Sequence, residues 1–405
     1  MRIPDYEKIV GKDIIYELGI ISKKLKKKKI QMINSTKEGG GVAEILSRVI
    51  PLLNDLGIDA TWDVIKADPD YYNVTKAFHN ALHGRKADIK QSMFDKFVST
   101  GYDIIRDTAI YGDIVFIHDP QPIMLIEKKT KDNKWIWRCH VDVSNPYAEV
   151  WEFLKRFVEE YDISVFSSPK FARQLKIPQF LVAPSIDPFS DKNRELTKSD
   201  IDGVLRKYGI GKDKPIITQV SRFDYLKDPV GVIETYRMVK KYIDCQLILA
   251  GNRAADDPET DLVLNDIMEH RHDDPDIHVL LVEPEENDLD INAIQRASDV
   301  VIQKSIREGF AITVTEALWK EKPVVASAVG GIPQQISHRY SGLLCHTIGG
   351  AALQIRELLN NPDYAKTLGK NGKEHVRRNF LSTRHLRDYM LLFLSLYNPE
   401  DVVYL

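Results

Sequence analysis

A chain of 405 residues is too long for one ordinary hydrophobic core and fits two domains of similar size. Its 43% hydrophobic and 28% charged residues are the balance of a globular protein, and a formal net charge of −3 argues against nucleic acid as a partner. The three cysteines, Cys139, Cys245 and Cys345, lie far apart, with neither metal-ligand spacing nor an even disulfide framework. No apolar run reaches the length of a membrane span, and residues 1–5 lack an apolar signal core, so a cytoplasmic protein with reduced thiols is expected.

The basic run Lys23, Lys24, Lys26, Lys27, Lys28 and Lys29 is a solvated approach to the first strand. Short β-branched runs then alternate with amphipathic ones, the pattern of α/β domains with parallel sheets. Strands are predicted over 30–35, 61–65, 114–118, 135–140, 164–167 and 180–183 in the first half. In the second half they fall over 216–220, 246–250, 278–282, 300–303, 324–326 and 343–345. After the first strand, Val42, Ile45, Leu46, Val49, Leu52, Leu53 and Leu56 recur at helical spacing. Pro184 and Pro188, followed by the charged segment 190–214, predict an interdomain linker and a peripheral helix. The expected organisation is a domain over 1–188, a second over 189–380, and an amphipathic C-terminal helix and tail over 381–405 that packs back on the first. The expected fold class is α/β, with two Rossmann-like doubly wound domains facing a cleft and ligands at the carboxyl ends of their strands.

Five strand ends carry the residues that chemistry needs. Gly39, Gly40 and Gly41 open the helix after the first strand, where exposed amides and close backbone approach suit an anion; a flexible turn is the bland alternative. The segment lacks both G-x-G-x-x-G and the Lys-Ser/Thr ending of a nucleoside-triphosphate loop. Asp119 follows the third strand in Asp-Pro, which by itself also starts turns, and His140 and Asp142 follow the fourth. A lone His is as readily structural. Arg222 and Lys227 stand between a strand and a helix that begins near Pro229, where two cations suit a diphosphate; two solvated surface charges are the bland alternative. Finally, Val300–Gln303 leads through Glu308, Gly309 and Phe310 into a helix expected over 314–320. Glu308 at the strand mouth and Glu316 about one turn into the helix suit two hydroxyl-bearing groups of one ligand. The helix amides around Ala311, Ile312 and Thr313 then face whatever is negative between them. Helix capping is the bland reading of such a glutamate. The pairs Asp256-Asp257 and Asp273-Asp274 fit turns, and Asp288 and Asp290 fit a helix start, so no metal site is expected.

Together, Gly39-Gly40-Gly41, Ser221-Arg222 with Lys227, and Arg307-Glu308-Gly309-Phe310 with Glu316 resemble glycosyltransferase family 4, of GT-B fold. Within it the chain resembles the trehalose glycosyltransferring synthases, through residues 34–45, 73–82, 118–122, 135–140, 184–188, 217–224 and 306–319. Two departures stand out: Ala311 where a Gly is common, and Tyr225-Leu226 before Lys227 in place of Trp-Lys. The resemblance implies transfer of glucose from a nucleoside diphosphate glucose to free glucose, with retention, giving α,α-trehalose. It implies that Arg222 and Lys227 hold the diphosphate, Glu308 the donor glucose and Glu316 the ribose. Gly40, Gly41, Phe310, Ala311, Ile312 and Thr313 would complete the donor site, and His140 would face the sugar near the reacting carbon. Asp119 and Asp142 are the acceptor-side residues, and neither a cofactor nor a metal is implied. The expected partners are the nucleotide sugar and glucose or trehalose, with no nucleic acid or membrane; the base, ADP or UDP, and the oligomeric state, a homodimer included, are left open. The rivals are a sugar-phosphate or other acceptor, served by Lys76, Arg85 and Arg138, a nucleotide-sugar epimerase, and a non-catalytic sensor.

Overall fold

The computed structural model describes residues 1–37, 40–85, 88–252, 260–282 and 287–401. The chain forms two compact units: Met1–Ser185 together with Ser382–Leu405, and Ile186–Leu381.

The first unit is built on six parallel strands: β1 (Lys29–Asn34), β2 (Asp59–Val64), β3 (Ile114–His118), β4 (Lys134–Cys139), β5 (Ile163–Phe166) and β6 (Gln179–Leu181). Their order is β2-β1-β3-β4-β5-β6. All five residues of β3, Ile114 to His118, are buried, as a strand covered by helices on both faces requires. The helix Gly40–Asp55 packs Ile45, Leu46, Val49, Leu52 and Leu53 inward from the predicted spacing. The last helix, Ser382–Ser395, buries Leu386, Tyr389, Met390, Leu392 and Phe393 and belongs to this unit, with Tyr389 and Phe393 packed against Phe116.

The second unit repeats the plan with β7 (Ile216–Val220), β8 (Gln246–Gly251), β9 (Ile277–Leu281), β10 (Val300–Gln303), β11 (Val324–Ser327) and β12 (Leu343–Cys345), in the order β12-β11-β10-β7-β8-β9. All its pairings are parallel. In this order the winding direction reverses between β7 and β10, which makes the loops after these two strands the place for a ligand. In the first unit the reversal falls between β1 and β3.

Two stretches differ from expectation. The proline segment predicted as a linker is no exposed tether, because Ser185, Ile186 and Asp187 are buried and Asn193 donates to the Asp187 carbonyl. The peripheral helix of that region runs Lys198–Lys207 behind a Thr197–Asp200 capping box. The helix predicted from 314 begins two residues earlier, at Ile312–Trp319. The β-branched run Ile312, Thr313, Val314, Thr315 weakens its helical signal, and burial of Val314, Thr315, Ala317 and Leu318 overrides that propensity. Among the described residues no helix is long and apolar enough to cross a membrane.

Candidate active site

At the β7/β10 reversal the loops are tied together before any ligand arrives. Asp224 caps a short turn, Tyr225–Lys227, by accepting from the Leu226 amide at 2.7 Å. The amide of Ile306, just past β10, donates to the Leu226 carbonyl at 2.8 Å. Asp228, at φ 50, then caps the helix Pro229–Lys240 through the Gly231 amide and forms an ion pair with Lys304. The turn thereby fixes Lys227, whose Nζ lies 2.8 Å from Glu308 Oε1.

That contact corrects the picture of Lys227 as a solvated surface cation, for its side chain is only 18% exposed and that of Glu308 only 5%. Glu308 Oε1 also accepts from Ser305 Oγ at 2.8 Å and from Gln303 Nε2 at 3.4 Å. Gln303 in turn accepts from Thr313 Oγ1 at 3.2 Å, while Gln219 of β7 donates to the Lys227 carbonyl at 3.0 Å and accepts from the Lys304 amide. Two buried glutamines on neighbouring strands thus set the geometry of the ion pair. Sequence reasoning missed them, although a Gln at or next to the carboxyl end of two largely apolar strands is a visible signal. Arg222, half-buried in the loop after β7, forms no ion pair among the described residues.

Glycines missed in the sequence shape the same loops. A Cβ on Gly330, which has φ +53, would lie 1.7 Å from the Glu308 carbonyl oxygen, and one on Gly251 would lie 1.9 Å from the Ser221 carbonyl. Only glycine lets these backbones approach so closely. Ala311 caps the helix Ile312–Trp319 at φ 68 without a side-chain hydrogen bond, in the left-handed region where a Cβ costs about 1 kcal/mol or more. The Gly-like conformation is therefore kept although the residue is Ala. Val314 donates to the Ala311 carbonyl at 3.0 Å, so the amides of Ile312 and Thr313 are first-turn donors with no acceptor four residues back in the helix. Phe310 is buried with its ring against Phe380, and its carbonyl accepts from Gln335. Glu316, in the fifth position of the helix, is buried.

In the first unit, β3 and β4 bring His118, Asp119 and His140 together. His118 pairs in register with Arg138, and its Nδ1 lies 3.1 Å from His140 Nε2 with the rings 22° apart. Asp119, at φ 66, accepts the His140 amide at 2.8 Å while its own amide donates to the Arg138 carbonyl. Burial pushes the Asp119 carboxyl up to about 7, opposed by the His140 amide and the Arg138 charge. Burial, with Arg138 nearby, holds His118 and His140 well below the usual imidazole range, so both rings are neutral. Asp142 is buried and accepts the Ser144 amide at 2.9 Å, a local turn contact.

Arg138 cannot serve a phosphorylated acceptor as the sequence allowed. It is fully buried, donating to Tyr389 Oη at 2.5 Å, to His385 Nε2 at 3.2 Å and to the Val182 carbonyl at 2.8 Å. Since arginine only donates, His385 carries its proton on Nδ1, which gives it to Ser185 Oγ at 2.8 Å. Gly40 and Gly41 begin the helix after β1, while Glu38 and Gly39 lie outside the described residues. So do Asp256 and Asp257. Asp274 accepts the Asp276 amide as turn chemistry, Asp290 pairs with Lys207 at 2.8 Å, and Asp288 lies 3.8 Å from Lys192.

The chain matches the family model described as trehalose synthase, N-terminal domain, over residues 32–173, and the model described as glycosyl transferases group 1 over residues 200–375. It is 43% identical over 401 residues to a trehalose synthase of Thermococcus litoralis, covering 97% of each chain. Among solved structures, the trehalose-6-phosphate synthase OtsA aligns with a TM-score of 0.74 at 14% identity, over 93% of this chain and 99% of that one. A sucrose-phosphate synthase from Thermosynechococcus elongatus aligns with a TM-score of 0.70 at 19% identity, over 92% and 100%. The two six-stranded parallel sheets are those of the GT-B fold, and the chain belongs to the trehalose synthase family of glycosyltransferases.

Proposed function

We propose that the protein transfers glucose from a nucleoside diphosphate glucose to free glucose with retention, giving α,α-trehalose and the nucleoside diphosphate. The observation that carries this reading is the buried Lys227–Glu308 pair at the reversal point of the second sheet, with Arg222, which forms no ion pair among the described residues, close by in sequence. A cation pre-positioned against a carboxylate provides, within one site, a partner for the diphosphate and an acceptor for sugar hydroxyls. The proposed order of events begins with the donor diphosphate taking Lys227 and Arg222 while Glu308 turns to the glucose hydroxyls. The bond from the anomeric carbon to phosphate oxygen breaks, the acceptor hydroxyl oxygen bonds the same face, and its proton moves to the departing phosphate oxygen. Charge growing on that oxygen is met by Arg222, Lys227 and the amides of Ile312 and Thr313, in the largest single contribution to such a step. In the first unit His140 serves the sugar, and Asp119 and Asp142 belong to the acceptor side. No step calls for a metal.

The test is the product formed from nucleoside diphosphate glucose and glucose, with and without excess chelator. Trehalose in both is expected. Free nucleotide without disaccharide points to hydrolysis, tight donor binding without turnover to a sensor, and loss in chelator restored by one equivalent of ion to a metal enzyme.

The two glutamates are expected to separate kinetically. Contacts at Glu308 strengthen as the transferred ring flattens, so Glu308→Gln lowers mainly kcat. Glu316 is assigned to the ribose, which the reaction leaves unchanged, so Glu316→Gln raises mainly the donor KM. Steady-state kinetics with varied donor at saturating glucose decide it, and identical profiles would refute the assignment.

A further inference from the structure

His118 contributes a buried ring at the end of β3, and nothing in the reaction outlined above uses it. Its environment is nevertheless specific. The ring is 1% exposed, lies 4.6 Å from the Phe116 ring, and directs Nδ1 at His140 Nε2 across 3.1 Å. Its other nitrogen, Nε2, is buried with no hydrogen-bond partner among the described residues. Both rings are neutral, so each carries one N–H, and only one proton can occupy the contact between them.

Which ring supplies that proton follows from the environment of His118 Nε2. If His140 donated, His118 would carry its own proton on Nε2, a buried N–H with no acceptor, in the field of the buried Arg138 charge. Orphaned buried donors are rarer and costlier than bare acceptors, and a cation attracts a lone pair while repelling an N–H. His118 therefore donates from Nδ1 and keeps a bare Nε2. His140 must then accept at Nε2 and hold its own proton on Nδ1, which has no partner among the described residues. The His140 backbone is meanwhile pinned by its amide bond to Asp119 at 2.8 Å.

We propose that His118 is a positioning residue that locks His140 in the Nδ1–H tautomer, so that His140 offers a fixed donor to a sugar oxygen. This rests on the assignment of His140 to the sugar. The other tautomer would present a lone pair there, which repels an oxygen carrying no proton in that direction and leaves the site without its donor.

The experiment uses the full chain with histidine labelled for nitrogen NMR, recorded above the usual imidazole range, alongside steady-state kinetics. Wild type is expected to show His140 protonated at Nδ1 and bare at Nε2. His118→Asn, whose amide can donate from nearly the same place as Nδ1, is expected to keep that signature. His118→Asp accepts only and is expected to reverse it. In kinetics, His118→Leu and His118→Asp are expected to lower kcat about 10–100-fold with donor KM little changed, and His118→Asn to recover most of that loss. A His140 protonated at Nε2 in wild type overturns the proposal, as does unchanged kcat in His118→Leu when His140→Leu is inactive. Wild-type turnover in His140→Leu instead removes His140 from the sugar, while the tautomer measurement still decides what His118 does. If His118→Leu fails to fold, the Asn and Asp pair carries the comparison.

Discussion

Lys227→Ala is expected to lower kcat by about 10²–10³-fold, the scale for removing one preorganised donor from developing negative charge. The variant is also expected to be less stable, because Glu308 would remain buried without its cation. Stranding one member of a buried pair costs about 3 kcal/mol or more. Adding Glu308→Gln removes the stranded charge, so the double variant should regain much of that stability in urea titration while turnover stays low. Wild-type kcat in Lys227→Ala would take Lys227 out of the reaction. A double variant as unstable as the single one would show that the pair is not what holds these loops.

The second large effect is on stability alone. His385→Leu combined with Tyr389→Phe leaves the Arg138 guanidinium with the Val182 carbonyl and strips two other bonds from a fully buried cation. Hydrogen bonds to charged groups contribute about 1.5–3 kcal/mol each, so a loss of about 3–6 kcal/mol is expected from the denaturation midpoint. Adding Arg138→Met should restore a large part of it, since an apolar side chain of similar length leaves no buried charge to satisfy. A triple variant no more stable than the double would mean that the helix Ser382–Ser395 is held by packing alone.

All twelve strands were legible because each is a β-branched or apolar run between turn signals, and parallel sheets buried on both faces make such runs continuous. Ile114–His118 and Ile216–Val220 show this most clearly. The charges Arg222, Lys227 and Glu308 stood out in the sequence because they follow strand ends, where charge has no structural reason to cluster. What escaped was what those charges touch. That Lys227 meets Glu308, eighty-one positions on, is set by the pairing of β7 with β10, and nothing local to either residue records it. Arg138 misled for the same reason: its partners His385 and Tyr389 lie near the far end of the chain, so a residue that looked available is spent inside the first unit. Gly330 was overlooked because its purpose is defined by the Glu308 carbonyl, not by a turn of its own.

The division of the first unit between the two ends of the chain has a consequence for how the protein is made. On the ribosome, Met1–Ser185 emerges first, but the helix Ser382–Ser395 that satisfies Arg138 emerges only after the whole of Ile186–Leu381. At about 5–20 residues per second, that interval lasts about 10–40 s. Throughout it the nascent first sheet carries a guanidinium without two of its partners and an apolar face over Phe116 without its cover. Ile186–Leu381, by contrast, is continuous in the chain and has every strand of its sheet once its own last residue is out. The second unit is thus free to fold on its own schedule, while the first stays exposed to proteases and chaperones until the final helix arrives.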